Sequence, residues 1–296
     1  ERNVWLCFEE RFSRLLAEGP PTALRPATHV AALLRGETQG YALASHAARD
    51  VQKVIQPASV ALIVADPPRP DAVFWALAAL WACWLWETPA AHAMRPFLRR
   101  RRFDWEWHRR VLRLALNAAG PLLTADGCLI TFFYERDVAL VESVALAASG
   151  AGYTLAGWGH SPDAGYRLVW RWQGAQPPPP ADPQTLEHAL TAAAAEAALN
   201  SLRARGEPAA WSLVHASVYA ELAGRGLLAQ AAALPESDTP PFAFTTGAVG
   251  RALEAGPLVR LTDRDEGALW WLADARGVAK PLDDGVEVEE GECLLE

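Results

Sequence analysis

Two continuous apolar runs, rich in β-branched and aromatic residues, constrain the fold of this chain more than any other feature. The first is Val60-Ala61-Leu62-Ile63-Val64-Ala65, and the second is Leu129-Ile130-Thr131-Phe132-Phe133-Tyr134. Short runs without polar alternation are typical of strands that are covered on both faces in a parallel sheet. We therefore predict two buried strands, the first of which ends at Asp66-Pro67-Pro68.

Helical periodicity follows both strands and predicts an α/β alternation. Helices are expected from about Asp71 to Trp86, from Arg99 or Asp104 to Ala119, and from Val138 to Ala148. Asp126-Gly127 is expected to turn the chain before the second strand. Two closing strands, Thr154 to Trp158 and Tyr166 to Trp172, flank a turn-forming segment and predict a hairpin. The sequence thus indicates an α/β fold whose sheet has an antiparallel edge.

The residues before the first strand carry less regular patterns. Apolar residues between Val4 and Leu16 recur at helical spacing and predict a helix that Gly19-Pro20-Pro21 ends. We interpret His29 to Leu34 as a short strand closed by Gly36-Glu37. Ser45 to Gln56 is compatible with a helix.

A polyproline segment, Gln176-Pro177-Pro178-Pro179-Pro180, marks the clearest boundary in the chain. Four consecutive prolines give a stiff spacer without backbone donors. We predict an α/β domain over residues 1–174, a linker over 175–183 and an α-rich domain over 184–296. The helices expected in the last of these are Thr185 to Arg205, Trp211 to Ala233 with a break near Gly224 or Gly226, and Ala248 to Ala255. Followed by Leu258 to Leu261, they form either a winged-helix-like or target-recognition unit or a helical packing appendage.

Composition excludes several classes of protein. With 51% hydrophobic and 21% charged residues, the chain of 296 residues is globular rather than disordered or fibrous. Its four cysteines lie far apart without a Cys-x-x-Cys pair, which opposes a disulfide framework or zinc ribbon and favours a cytoplasmic location. The histidines form no metal-binding pattern, and no nucleophile elbow supports hydrolysis. Ala72 to Trp86 is too short to cross a membrane and is interpreted as buried.

The residues around the first strand resemble the motif region of a known enzyme family. Leu62 to Pro68, followed by Pro70-Asp71 and an aromatic helix, is similar to the Asp-Pro-Pro-Tyr region of DNA amino-methyltransferases. The resemblance continues through Phe132 to Asp137 and the Gly150-Ala151-Gly152-Tyr153 segment, and covers about Val54 to Trp172. Within that family it points to the large bacterial adenine-specific methylases.

This resemblance implies a partial Rossmann-like class I methyltransferase sheet with an α-rich C-terminal region. It also implies methyl transfer from S-adenosylmethionine to DNA, at adenine N6 in preference to cytosine N4. The Asp66 carboxylate and the Pro67 carbonyl would accept the hydrogens of the flipped base's amine, and Pro68 would fix the turn. Where the family usually has an aromatic residue, this chain has Arg69. The base would then stack on the guanidinium of Arg69 or on Phe74 or Trp75.

The glycine loop that this family uses to hold its cofactor is not found before Asp66. Gly36-Glu37 resembles the acidic position beside the cofactor adenine, and Gly247 to Gly250 is a weaker candidate for the loop. Because residue 1 is Glu rather than Met, we expect the loop on a missing N-terminal segment or on a partner subunit.

A basic stripe interrupts this acidic chain, whose net charge is −8. It contains Arg99, Arg100, Arg101 and Arg102, with Arg109, Arg110 and Arg113 further along. The stripe either contacts DNA phosphates or is a solvated helix face countered by Asp104 and Glu106. The tryptophans that follow the first strand, Trp75, Trp81, Trp84 and Trp86, are interpreted as core.

Three functions remain open from the sequence. The first is a DNA amino-methyltransferase. The second is a non-catalytic, methyltransferase-derived module that binds DNA or a partner through the stripe and the C-terminal helices. A third, weaker one is a methyltransferase for small molecules or proteins, since this fold hosts many acceptors.

Overall fold

The computed structural model describes residues 13, 32–33, 37–38, 40–41, 48–99, 104–133, 137–161, 165–174, 178, 181–235, 239–255, 258–261 and 269–273. The helix predicted between Val4 and Leu16 lies outside the described residues except for Ser13, which is helical. Most of the polyproline segment also lies outside them.

The first half of the described chain alternates strands and helices. A 3₁₀ helix, Ala48–Lys53, precedes strand β1 (Val60–Ala65) and helix α1 (Ala72–Ala91). A second 3₁₀ helix (His92–Met94), α2 (Arg95–Leu98), α3 (Trp105–Ala119) and a third 3₁₀ helix (Gly120–Leu122) lead into β2 (Leu123–Phe133). Then come α4 (Val138–Gly150), β3 (Tyr153–Ser161) and β4 (Gly165–Trp172). From Val60 onward, the strands, helices and hairpin predicted for this half are confirmed.

The sheet of this half combines parallel and antiparallel pairs in the order β1-β2-β4-β3. Strands β1 and β2 are parallel, with Val64 beside Ile130 and Ala65 beside Thr131. Strand β4 lies antiparallel between β2 and β3, so the hairpin predicted from the sequence forms the far edge. The protein is therefore mixed α/β, and β1 is an edge strand of the described sheet.

The turn predicted at Asp126-Gly127 is wrong, because both residues lie within β2. The strand is irregular there: Val60 pairs with Leu123, but Leu62 pairs with Cys128, so β2 advances five residues where β1 advances two. A Cβ atom on Gly127 would lie 2.9 Å from the carbonyl oxygen of Val60. The glycine thus allows two backbones to approach closely rather than turning the chain.

The short strand predicted at His29 to Leu34 is also wrong for the residues described. Ala32 and Leu33 are helical, and the Glu37 amide donates to the Ala32 carbonyl at 2.9 Å. Alanine and leucine have the highest helix propensities, and this local preference prevails over the short apolar pattern.

The second half is helical with a small sheet. Its elements are α5 (Pro183–Arg205), β5 (Ala209–Ala210), α6 (Trp211–Gly224), α7 (Leu227–Ala232), α8 (Pro241–Glu254), β6 (Leu258–Leu261) and β7 (Leu269–Leu272). Strand β7 pairs antiparallel with both β5 and β6, giving the order β5-β7-β6. The first two predicted helices and the break near Gly224 are confirmed, whereas α8 begins well before the predicted Ala248.

Helix α4 joins the two halves into one hydrophobic core. Every residue from Leu140 to Ser149 is buried, and the apolar cluster around them continues from β2 and β4 into α5, α6, α7 and α8. A helix that is apolar all round needs neighbours on all sides. For α4 the sheet supplies one side and the C-terminal helices supply the other.

Helix α1 is equally apolar but is not buried, which corrects the predicted core role of this segment. Trp84 is 67% and Trp81 is 46% exposed, and only Ala79 and Ala82 are buried among its described side chains. Strand β1 shows the same departure, since Leu62 and Val64 are 50% and 61% exposed rather than covered. The described part of the chain supplies packing partners to one side of these elements only.

Among the described residues, no helix has the length and apolarity required to cross a bilayer.

Gly120, directly after α3, packs closely against the hairpin strand β4. A Cβ atom there would overlap the indole ring of Trp172. We expect Gly120→Ala to lower the free energy of unfolding by about 1–3 kcal/mol, because the bulky ring must move. Gly224→Ala is the matched control, since nothing lies within 4 Å of its added Cβ. Urea denaturation measures both, and equal stabilities would contradict the packing described here.

Candidate functional site

A cavity of about 290 Å³ opens at the carboxyl ends of β1 and β2. Residues from four segments line it: Asp66, Pro67, Pro68, Arg69, Asp71, Phe74, Phe133 and Leu140. In open α/β sheets, ligands bind outside the carboxyl ends of the parallel strands. The structure thus gathers Asp66 to Arg69 and Phe74, all predicted as site residues, around one cavity.

Local sequence explains why the cavity forms here. Pro67 and Pro68 have no amide hydrogens and cannot extend β1. Asp71 then caps α1, accepting a hydrogen bond from the Val73 amide at 2.7 Å, and Asp137 caps α4 in the same way through the Ala139 amide at 3.0 Å. Because two neighbouring strands end together and two capped helices lead away, a gap remains between them.

The polar and apolar groups of the cavity are arranged asymmetrically. Asp66 and Arg69 are exposed, whereas Pro67 and Phe133 are buried. Phe74 is exposed on α1 and supplies an aromatic face. Such a site can accept hydrogen bonds from a flat polar ligand and cover it with an aromatic ring.

Trp75, the other predicted stacking residue, does not line the cavity in the described structure. It contacts Phe74 edge to face, with ring centroids 5.3 Å apart. Adjacent helical residues point in different directions, so only one of the pair faces the cavity. Phe74 is therefore the aromatic stacking candidate on this helix.

Arg69 connects the turn to the start of α4. Its guanidinium Nη2 donates to Oδ2 of Asp137 at 2.7 Å, and both side chains are partly exposed. Asp137 therefore serves at once as the cap of α4 and the anchor of Arg69. This pair holds the guanidinium at the rim of the cavity.

His108 is the site residue that the sequence did not indicate. Its side chain, on α3, is 7% exposed, and its Nε2 lies 2.8 Å from the carbonyl oxygen of Pro68. A carbonyl only accepts, so Nε2 carries the hydrogen, and in the neutral ring Nδ1 accepts from the Ser143 hydroxyl at 2.7 Å. Burial lowers the pKa of His108 below its usual value, against the opposing effect of the Pro68 carbonyl. A single histidine within a helical pattern does not predict a hydrogen bond to a distant turn.

The residues predicted to hold the cofactor are not brought to the cavity. Gly36 lies outside the described residues, and Glu37 is exposed in a bend that is not part of the cavity lining. Gly247 and Gly250 lie inside α8, so they are not a loop after a strand. Among the described residues, no glycine lines the cavity, so a turn that could hold S-adenosylmethionine is not part of its lining.

Part of the predicted basic stripe is used within the protein. Arg109 is 1% exposed and pairs with Glu106, and Arg113 donates to the Ala232 carbonyl at 3.2 Å. The Arg109 side chain is thus buried with a partner on its own helix, and Arg113 connects α3 to α7. Arg99 is exposed on the surface, whereas Arg100, Arg101 and Arg102 lie outside the described residues.

A buried carboxyl group lies between α4 and the start of α8. Oε1 of Glu142 accepts from the Thr246 hydroxyl at 2.7 Å and the Thr245 hydroxyl at 3.0 Å. Burial raises the pKa of Glu142 to about 7, although these hydroxyls favour its charged form. Nearby on α3, Oε2 of Glu106 accepts from the Phe242 amide at 3.1 Å. Two acidic side chains therefore fix the N-terminal end of α8 to the α/β half. The position suits them, because the partial positive charge at a helix N-terminus favours nearby carboxylates.

Among the described residues, no three or more His, Cys, Asp or Glu side chains are grouped so that they could hold a metal ion.

In comparisons with known proteins, the chain matches no family model, no curated protein and no solved structure.

Proposed function

We propose that this chain is the base-holding half of an S-adenosylmethionine-dependent DNA amino-methyltransferase, acting on adenine N6 in preference to cytosine N4. The observation that carries the proposal is the position of Asp66-Pro67-Pro68 at the carboxyl end of a parallel strand, in a cavity with Phe74 and Phe133. Acceptors and aromatic rings are what a flipped base requires.

The sheet supports the proposal. A parallel pair, β1 and β2, is followed by a hairpin whose second strand lies between the parallel pair and the outer strand. This is the order expected at the closing edge of a Rossmann-like class I methyltransferase sheet, which the resemblance implies. The Asp-Pro-Pro turn follows the strand that would lie at the centre of such a sheet.

In this proposal the residues of the chain orient the exocyclic amine of the base. The carboxylate of Asp66 accepts one hydrogen of the exocyclic amine and the Pro67 carbonyl accepts the other. Both acceptors stabilise the positive charge that develops on nitrogen as it acts as a nucleophile. Phe74 stacks on the base, and the buried Phe133 closes the apolar end of the cavity. S-adenosylmethionine would supply the methyl group.

The edge of β1 favours a partner that completes the site. Strand β1 pairs only with β2 among the described residues, and its Leu62 and Val64 are exposed together with Trp81 and Trp84 on α1. Parallel strands are normally covered on both faces, and open edges accept further strands. We assign this surface to a strand and helix that carry the glycine loop, either in a partner subunit or in a further segment of the protein. A strand parallel to β1 would end beside Asp66.

The second candidate, a non-catalytic module that binds DNA or a partner, is favoured by Arg69. In place of an aromatic residue, the guanidinium at this position is paired with Asp137 at the cavity rim. An Arg plane held this way can bind a phosphate or a base without catalysis.

The C-terminal half is assigned to a winged-helix-like unit that packs on the α/β half. Its order of helix, strand, three helices and two strands, with the sheet β5-β7-β6, supports this assignment. In such units the helix before the final hairpin reads DNA with its N-terminal end. Here that end, on α8, is bound to Glu106 and Glu142, which favours the packing role over DNA reading.

Calorimetry with S-adenosylmethionine and a methyl-transfer assay on unmethylated plasmid DNA test the function in the intact protein. We expect cofactor binding and N6-methyladenine among the nucleosides released from the DNA. If N4-methylcytosine were released instead, the substrate base would be cytosine rather than adenine. Cofactor binding without transfer to DNA would favour another acceptor, and DNA binding with neither would favour the non-catalytic module.

A further inference from the structure

A buried histidine contacts the Asp66-Pro67-Pro68 turn on the side away from the cavity, and a buried serine contacts that histidine. His108 on α3 donates through Nε2 to the Pro68 carbonyl at 2.8 Å, and Ser143 on α4 donates to Nδ1 of the same ring at 2.7 Å. Ser143 is fully buried, and His108 is nearly so. The two bonds form a continuous chain from α4 through α3 to the turn.

We infer that His108, oriented by Ser143, is a positioning residue that fixes the Pro67 carbonyl as an acceptor for the substrate amine. The inference rests on the function proposed above. His108 acts through the turn, since it binds the Pro68 carbonyl and does not line the cavity among the described residues.

The need for such a residue follows from the two prolines. Proline rings fix φ at 67 and 68, and the ring of Pro68 also restricts ψ of Pro67 to the extended region, but the ψ angle of Pro68, which sets the direction of its carbonyl, remains free. Neither residue has an amide hydrogen, so the turn cannot be locked by its own backbone donors. A side-chain donor on the Pro68 carbonyl removes the remaining freedom on one side, and the Arg69–Asp137 pair anchors the next residue.

The Pro68 carbonyl determines which ring nitrogen donates, because a carbonyl can only accept and it lies at Nε2. The Ser143 hydroxyl then donates to Nδ1 and fixes the orientation of the ring. Without that hydroxyl the ring keeps one hydrogen bond only and can rotate. The serine thus acts on the turn through the histidine.

The test compares kcat and KM for methyl transfer to plasmid DNA in four variants of the intact protein. We expect His108→Phe to lower kcat by up to about 100-fold while KM for the cofactor stays constant, because the acceptor is misplaced. His108→Gln, whose amide can donate to Pro68, should stay within about fivefold of wild type. Ser143→Ala should lower kcat about three- to tenfold, the value of one hydrogen bond.

Ser149→Ala is the matched control for the serine. It lies on the same helix, is buried, and its hydroxyl has no described hydrogen-bond partner. Its kcat should equal that of wild type. If Ser143→Ala and Ser149→Ala have equal kcat, or if His108→Gln is as impaired as His108→Phe, the positioning role is wrong.

The protonation of the His108 ring can be measured without any enzyme activity. Nitrogen-15 NMR of the imidazole groups should show His108 with its hydrogen on Nε2 in wild type and in Ser149→Ala, and a changed Nδ1 chemical shift in Ser143→Ala, because Nδ1 loses the hydroxyl that donates to it. A hydrogen on Nδ1 in wild type overturns the inference even if the protein is active. If wild type shows the expected tautomer but transfers no methyl group, the proposed function fails and the catalytic part of this inference fails with it.

Discussion

Asp66→Ala is expected to lower methyl transfer by about a thousandfold, the loss typical of removing a preorganised group that stabilises developing charge. The carboxylate lines the cavity and is exposed to solvent. It is the only acidic acceptor in the Asp-Pro-Pro turn, so its loss leaves the substrate amine with the Pro67 carbonyl alone. Asp66→Asn keeps one oxygen acceptor and should retain intermediate activity.

Stability and cofactor affinity separate this effect from misfolding. An exposed side chain contributes within about 0.5 kcal/mol to stability, so both variants should unfold at the same urea concentration as wild type. Asp126→Asn, an exposed carboxylate away from the cavity, is the control and should be fully active. Unchanged transfer by Asp66→Ala, with wild type active, would remove Asp66 from the site.

The second large effect concerns Glu142 and the pH dependence of stability. Burial raises the pKa of its carboxyl in the folded state from about 4.5 to about 7. Between these values the folded protein binds a proton that the unfolded chain has released, so the free energy of unfolding falls as pH rises. The full loss is about 3 kcal/mol, complete above pH 7.

Glu142→Gln should abolish this loss, because the amide stays neutral and its oxygen can still accept from Thr245 and Thr246. We expect the variant to be more stable than wild type by about 2–3 kcal/mol at pH 8 and similar to it near pH 4. Glu254→Gln, an exposed carboxyl on α8, is the control and should follow wild type. Urea denaturation across this pH range measures all three. A constant difference at every pH would show that Glu142 does not titrate as described.

His215 on α6 should give the opposite slope in the same experiment. Burial lowers its pKa to about 3, and its Nδ1 has no described partner. From pH 3 to 6.5 the unfolded chain binds the proton more strongly, so stability rises with pH. The two slopes oppose each other from about pH 4.5 to 6.5. Glu142→Gln should therefore show a rising stability across this interval that wild type does not.

Local sequence signals predicted the elements that carry the site. The apolar runs gave β1 and β2, the prolines ended β1, and Asp71, Asp104 and Asp137 became N-caps whose carboxylates bind amides of the following helices. These signals succeed because capping, proline geometry and periodicity act within a few residues. They also placed Asp66 at the end of a strand, where ligands bind in such sheets.

Contacts between distant residues could not be predicted in this way. The approach of His108 to the Pro68 carbonyl spans 40 residues, and that of Glu142 to Thr246 spans 104. The contacts of two stripe residues could not be predicted for the same reason, since Arg109 is buried and Arg113 donates to the Ala232 carbonyl of a helix beyond the linker. A sequence pattern records the residue type but not the partner.

The sequence by itself determined where β1 ends, which residues form the turn there and which helices begin around the cavity. Only the tertiary structure decided which apolar helix is buried. Helices α1 and α4 are both apolar all round, yet α4 is enclosed by the sheet and the C-terminal helices while α1 exposes Trp81 and Trp84. The physical reason is that burial depends on the neighbours a helix meets, and those neighbours are set by the packing of the whole chain.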